Sequence, residues 1–521
     1  MVAFSRNKCN IMSQRGREPP STSVHAGKVR KSHLMSEVAS TVPEIPALTP
    51  LDYLRLSWYL LYKAPGEAFG KLQDRHNSPA VRIALPVPPV FKQGIISGDP
   101  AFAEAVALNK NDDLSAEAGW GPTLTRTGSF TRSILQMEFD EHRHDRLLLQ
   151  QAMGPMELSG YMKQIGPKIQ SAVRACPLGR DVDQRKLFKH INMSVAIEVF
   201  MGITLSRDEI FKVGKAFDDL VSTNIIRQTQ ARRYLHRFLY SWVHAKKTGA
   251  PTPDLMSQLC RARTVDGDRF SDRQIMQHML FFLFAAHDTT TITMTNMAYY
   301  LALNPRWQRR ARAQAFSLPE NPDATDFSKM TELQNIMKET LRFRTPVFLM
   351  VRGAVRDTQI LGYRIPRGKV ILAITWSHHT NPKIWTNPRR FDPDRFSPER
   401  AEDKDHRAKW MPFGGGVHKC IGMHFAKMQI SAVYHTLLRE FEWGVDKGHI
   451  LPTFQNSLAF SQGFPAVVRR FDPATLATEP IDTDDQEVRW GVAPNLPPVV
   501  YLRTFLQRWR PGTRASTHDA A

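Results

Sequence analysis

The segment Phe413-Gly414-Gly415-Gly416-Val417-His418-Lys419-Cys420-Ile421-Gly422 limits the folds open to this chain more than any other. Three consecutive glycines precede a single cysteine. An apolar stripe at helical spacing then runs through Ala426, Ile430, Val433 and Leu437. Such a stripe marks a helix with one buried face, so Cys420 enters a helix N-terminus. There the helix dipole and the free backbone N–H groups favour a thiolate. Glycines permit positive φ and let the backbone approach a flat group closely. N–H groups aimed at the sulfur would tune its electron donation. The same residues could also enclose an inert buried cysteine, so the rest of the chain must decide.

The other cysteines, Cys9, Cys176 and Cys260, stand far apart and form no CxxC pair. That argues against a zinc site or an iron–sulfur cluster held within the chain. It also supplies no disulfide framework, so a reducing, cytoplasmic setting is expected. No run of eighteen apolar residues occurs, and no transmembrane helix is expected. The formal net charge is +20. The basic residues do not form long runs and no nucleic-acid module stands out, so no nucleic acid is expected as a partner. An acidic protein or an anionic surface fits the charge better. The amphipathic, aromatic stretch Leu51–Lys63 reads as an early packed helix, with peripheral membrane contact as the alternative.

Residues 1–45 read as a basic disordered tail that gives way to the prolines Pro43, Pro46 and Pro50. Ala80–Ser97 predicts a strand hairpin. Helical patterns dominate from Leu135 to Leu303. Gln359–Ile374 predicts a second strand pair, turned at Pro366-Arg367-Gly368. Residues 471–521, Pro-rich and at first acidic, read as an appended arm. The expected class is mainly α (α+β): one domain over residues 46–470, helical with small β-sheets.

Two helical segments carry chemistry within their patterns. Glu339-Thr340-Leu341-Arg342 lies on a helix whose stripe is Leu333, Ile336, Met337 and Leu341. Glu339 and Arg342, three apart, can pair along one face. The segment Gln274–Asn304 carries Ala285-Ala286-His287-Asp288-Thr289-Thr290 after the apolar run MLFFLFAA. An acid there is costly unless it is paired or used. Ala285 and Thr289, four apart, share a face.

Taken together, these motifs resemble the cytochromes P450, a family of haem-thiolate monooxygenases. The family signature is Phe-x-x-Gly-x-x-x-Cys-x-Gly, and Phe413, Gly416, Cys420 and Gly422 stand in register. Glu339-x-x-Arg342 matches its Glu-x-x-Arg. Phe391-Asp392-Pro393-Asp394-Arg395-Phe396 is similar to its Pro-Glu-Arg-Phe element, with Asp394 in place of the usual Glu. Ala286 stands where the oxygen-binding helix of the family has Gly. The resemblance covers roughly residues 51 to 470.

The resemblance implies a single-domain cytochrome P450 fold and haem b, with Cys420 as axial iron ligand and Phe413, Gly416 and Gly422 shaping its loop. It implies propionate partners at His142, Arg146, Arg352 and His418, and a structural triad of Glu339, Arg342 and Arg395. Asp288 and Thr289 would relay protons to reduced dioxygen. Phe281, Phe282, Ala285, Ala286, Thr290, Val347, Phe348 and the Phe460–Phe464 loop would line the substrate pocket. The implied partners are a small apolar organic substrate (lipid, sterol or terpenoid-like), dioxygen, and an external ferredoxin or flavoprotein reductase. No flavin or cluster motif lies within the chain, and a donor would meet Arg389, Arg390, Lys419 and Lys427. The alternatives are a haem-thiolate isomerase or peroxygenase, or a haem protein that binds ligand without turnover.

Overall fold

The Asp272–Leu303 helix, 32 residues long, is buried on most of its surface from Ile275 to Ala302. It starts in a capping box: the Ser271 hydroxyl accepts from the Gln274 N–H, and the Gln274 side chain accepts from the Ser271 N–H. Pro305 opens the next helix, Pro305–Phe316, directly after it. Thr289, Thr291, Thr293 and Thr295 each donate to the carbonyl four residues back, at 2.8–2.9 Å. These bonds satisfy hydroxyls that would otherwise be orphaned in an apolar interior.

A computed structural model describes residues 42–62, 65–83, 94–124, 133–151, 153–222, 224–263, 266–445 and 464–476. Within these, the long helix packs most extensively on Gln184–Met201 and also contacts Ile225–Thr248, Thr331–Phe343 and Met423–Glu440. The main core cluster joins these helices, with Phe188, Leu235, Leu283, Tyr300, Phe343 and Tyr434 fully or almost fully buried. Met423–Glu440 carries the stripe read from the sequence, and Ile430, Val433 and Leu437 are buried. No described helix is long and apolar enough to cross a membrane.

The sheets are small. A five-stranded sheet runs in the order Val81–Ile83, Gly94–Ser97, Val370–Ile374, Leu349–Ala354, Leu114–Ser115. The first two strands pair antiparallel, Val81 opposite Ile96, as expected for the Ala80–Ser97 hairpin. Gly94–Ser97 then pairs parallel with Val370–Ile374.

The second expected hairpin needs correction. Thr358–Ile360 pairs with Tyr363–Ile365, and the turn is Leu361-Gly362, with φ of 50° and 81°. Two successive positive φ values fit a two-residue hairpin loop. The Pro366-Arg367-Gly368 turn instead hands the chain to Val370–Ile374, which pairs antiparallel with Leu349–Ala354. The expected tail up to residue 41, most of the expected arm from residue 477, and Phe460 lie outside the described residues.

Candidate functional site

Cys420 lies three residues before the first residue of the Met423–Glu440 helix. Its N–H donates to the Phe413 carbonyl at 2.9 Å, which closes the glycine loop on itself. Gly414 and Gly416 both hold positive φ, 66° and 61°. At Gly416 a methyl group would sit 1.8 Å from the Ala107 carbonyl oxygen, so only glycine fits there. Gly422 is different: its φ is −84° and nothing lies within 4 Å of where a Cβ would be. Cys420 is exposed as a residue, yet protein surrounds its thiol. That desolvation raises its pKa, while the Gly422 N–H, Arg146 and Lys419 pull it down.

Beneath the loop, Glu339, Arg342 and Arg395 are completely buried. Arg342 grips Glu339 through two bonds, 2.7 and 2.9 Å, and Arg395 adds a third at 3.1 Å. The two guanidinium groups also donate to the carbonyls of His379, Thr386 and Pro388, at 2.9–3.0 Å, and Arg395 to the Glu402 carboxylate at 3.0 Å. His379 passes the constraint on, because its Nε2 accepts from the Met411 N–H at 2.8 Å, just ahead of the loop. Trp410 adds a bond from its indole to the Lys338 carbonyl and packs edge-on against Phe413. Asp394 lies outside the triad. Arg310 holds it with two bonds of 2.9 Å and also reaches Glu332.

Basic groups crowd beside the cysteine. Arg146 donates to the Lys419 carbonyl at 2.6 Å. The rings of His142 and His418 lie 4.0 Å apart. Burial, together with Arg146 and Arg352, pushes His142 down to about 4. Burial, Arg352, His142 and Arg146 push His418 down to about 2. Arg352, 5% exposed, is lowered to about 10 by burial, with Glu138 opposing. Its described hydrogen bond goes to its own neighbour, the Val351 carbonyl. The buried Nε2 of His142 has no hydrogen bond. Glu138 is itself committed to the Ser115 hydroxyl and the Glu117 N–H. Two arginines, with two neutral histidines of which the buried His142 has an unmet ring nitrogen, suit a ligand bearing carboxylates, and a haem with its two propionates fits them.

Along the long helix, Phe281, Phe284, Ala285, Ala286, Asp288 and Thr289 remain partly open. Phe281, Ala285, Asp288 and Thr289 fall on one face. Phe282 is instead packed edge-to-face on Phe200 in the core, and Thr290 is 5% exposed. These two lie buried, off the partly open face of the helix. Val347 is exposed, while Phe348 packs edge-on against Trp376. Asp288 is a quarter exposed, 3.6 Å from His287 Nδ1 and 3.9 Å from Arg185.

One residue here escaped the sequence reading. Asn192, fully buried, donates to the carbonyls of Ala286 and His287, both at 2.7 Å, and to Thr291 Oγ1 at 3.1 Å. It grips the helix backbone beside the acid. Its only sequence signal is a lone amide within the otherwise apolar face of Phe188–Met201.

The family model for Cytochrome P450 matches residues 204–465. A protein of Mycobacterium tuberculosis named as cytochrome P450 136 is 34% identical over 395 residues, covering 72% of this chain and 80% of its own. The cyclooctat-9-en-7-ol 5-monooxygenase of Streptomyces melanosporofaciens is 25% identical over 321 residues, covering 57% of this chain and 70% of its own. The structure of a retinoic acid-bound cyanobacterial CYP120A1 superposes with a TM-score of 0.71 at 22% identity, over 83% of this chain and all of the other. With the glycine–cysteine loop, the buried triad and the helical architecture in place, the chain belongs to the cytochrome P450 family, whose members carry haem, and it is an oxidoreductase of the monooxygenase type.

Proposed function

We propose that this protein inserts one atom of dioxygen into a small apolar organic substrate, lipid-, sterol- or terpenoid-like, while the other atom leaves as water. The reaction consumes two electrons and two protons. The observation that carries this reading is the placement of Cys420: an exposed cysteine, in a loop braced by a buried triad, beside His142, Arg146, Arg352 and His418. Haem b, bound there, supplies dioxygen binding and one-electron chemistry, and a thiolate ligand favours O–O cleavage.

The chain's own residues do the rest. Cys420 holds the metal, and the three-glycine loop lets the backbone lie close to a flat ring. His142, Arg146, Arg352 and His418 anchor the propionates. Thr289 offers a hydroxyl on the open helix face, and Asp288 admits protons from the Arg185 side. Phe281, Ala285, Ala286 and Val347 give an apolar lining, which supports an apolar substrate. The relatives point the same way: one is named for oxidising cyclooctat-9-en-7-ol, and another was solved with retinoic acid bound.

Electrons come from a separate acidic ferredoxin or flavoprotein. Lys419 and Lys427 face the donor, together with Lys338 and Lys404. Burial lowers the Lys427 pKa, and Lys338, Lys419 and Lys404 lower it further, as expected for a crowded basic patch. Arg389, expected here, is already engaged by Glu67. The cysteine usage supports a reducing, cytoplasmic compartment.

The test is turnover of sterols, terpenes and fatty acids with a ferredoxin and its reductase under isotope-labelled dioxygen. Products carrying one labelled oxygen support the reading. Reductant-independent isomerisation of a bound substrate overturns it.

A further inference from the structure

The long helix presents a second group of ligating atoms, turned toward the Arg207–Leu220 helix. Asp218, His287 and Asp288 each offer one nitrogen or oxygen, and these atoms all lie within 4.8 Å of one another. His287 is 1% exposed, and neither of its ring nitrogens has a hydrogen bond. The Oδ1 of Asp288 is likewise buried without one, 3.6 Å from His287 Nδ1. Buried polar atoms are ordinarily satisfied, so an unmet ring nitrogen of His287 and the unmet Oδ1 of Asp288, side by side, call for a ligand. Phe217 and Gly214 fix the ring from the other side: the Phe217 centroid lies 5.9 Å away, and a methyl on Gly214 would touch Nε2 at 3.6 Å. Burial, with Lys189 adding, pushes His287 down to about 3, which leaves the imidazole neutral with a free lone pair.

We propose that Asp218, His287 and Asp288 form a binding site for a divalent transition metal ion, with Zn²⁺ the best match, and that an ion held there withdraws Asp288 from proton entry. The second half rests on the role given to Asp288 above. One imidazole and two carboxylates suit Zn²⁺, which binds such ligands at roughly 2.0–2.2 Å. Ligand atoms around a tetrahedral ion lie about 3.4 Å apart by that geometry. The present arrangement must therefore contract. Asp218 has the freedom to do so, being 46% exposed. Two cations compete with the ion. Lys189 bonds both Asp218 oxygens at 2.6 Å, and Arg185 stands 3.9 Å from Asp288. Binding is accordingly expected in the micromolar range, and it should strengthen when Lys189 is removed.

The experiment is titration of the haem-loaded full chain with Zn²⁺ alone, by calorimetry and by competition with a chromophoric chelator. The wild type should take up one zinc ion that Asp218→Asn weakens roughly tenfold or more, as loss of a ligand does. Lys189→Ala should tighten it roughly threefold or more, since a competing charge is gone. A structural role for this cluster would predict no gain from Lys189→Ala. His287→Gln should abolish the site, and the two surface variants keep the test valid where that buried change disturbs folding. Equal zinc affinity in wild type, Asp218→Asn and Lys189→Ala overturns the site. In turnover, zinc should slow the wild type and spare Asp218→Asn at the same concentration. Zinc that binds with the expected variant pattern but leaves turnover unchanged supports the site and overturns the role given to Asp288.

Discussion

Arg395 and Glu339, 56 residues apart in sequence, meet at 3.1 Å with neither side chain exposed. Arg342 completes the group from the same helix as Glu339. One carboxylate thus serves two guanidinium groups, and it also accepts the Asp392 N–H at 2.9 Å. Buried charge of this kind is weak support for stability as such, because desolvation offsets much of the attraction. Its value here is positional. It ties the Thr331–Phe343 helix to the carbonyls of residues 379–390, and through His379 to the start of the cysteine loop.

Removing one member should therefore be far worse than removing a nearby surface pair. Glu339→Ala leaves the buried Arg342 without its carboxylate, while Arg395 keeps only Glu402 at 3.0 Å, and should cost about 3–5 kcal/mol. Asp394→Ala breaks a pair with Arg310 in which both side chains are about a third exposed. It should cost about 0–1 kcal/mol. Denaturant unfolding of both variants checks the contrast. Equal losses would show that the buried Glu339 cluster stabilises the fold no more than the partly exposed Asp394–Arg310 pair does.

A loop glycine and a surface glycine should differ in the same way. Gly416→Ala places a methyl against the Ala107 carbonyl in a left-handed conformation, so the loop must shift. Haem retention should fall sharply. Gly160→Ala, on the exposed side of the Pro155–Arg174 helix with nothing within 4 Å of the added methyl, should retain haem. Haem content per chain after gel filtration measures both.

Ligation itself is checked by spectroscopy. Cys420→His should move the carbon monoxide band of the reduced protein from the thiolate position to the histidine position. Cys176→Ala and Cys260→Ala, both at buried free cysteines, should leave it unmoved. A wild-type band at the histidine position ends the assignment.

Acid should weaken the fold before any catalytic group is involved. His378 is fully buried, and burial, then His406, pushes it down to about 3. Burial, then Arg439, pushes His435 to about 4. Both are free to protonate when the chain unfolds, so below their ordinary value of 6.5 the unfolded state binds more protons. Their contribution is full above that pH and is lost as pH falls toward the folded values. Each steepens the loss by up to about 1.4 kcal/mol per pH unit. Urea midpoints at pH 7, 6 and 5 should fall accordingly, and His378→Gln should flatten the slope. An unchanged slope would mean that His378 protonates in place.

Much of this was legible because the family's signals are local. The cysteine loop, Glu339-x-x-Arg342 and Asp288-Thr289 each fit within a few residues, and helical spacing supplied their faces. What the sequence hid depends on contacts between distant segments. Asn192 matters only because the Gln184–Met201 helix lies against the carbonyls of Ala286 and His287. The hairpin turn was misplaced because Pro366-Arg367-Gly368 is the stronger turn signal, whereas Leu361 takes a positive φ that its side chain disfavours. The burial of Phe282 and Thr290 off the open face was not legible either, because composition does not say which side of a buried helix faces another helix.

The last prediction concerns coupling of electrons to product. Two protons must reach reduced dioxygen before peroxide escapes. On the open face of the long helix, Asp288 and Thr289 offer an acid and a hydroxyl in succession. Thr289 Oγ1 now donates to the Ala285 carbonyl at 2.8 Å, so its lone pairs stay free to accept. Thr289→Ala should keep haem binding and substrate affinity nearly intact. Reductant consumption should continue, with much of it appearing as hydrogen peroxide. Asp288→Asn should slow the whole cycle, on the order of 10²-fold, because proton supply itself is impaired. Thr290→Ala should change neither, since that side chain is buried and rotated about 100° from Thr289. The quantity to compare is peroxide formed per reductant consumed, across the three variants and the wild type. If Thr289→Ala leaves that ratio unchanged, the relay assignment is wrong, and an ordered water or a substrate hydroxyl supplies the protons.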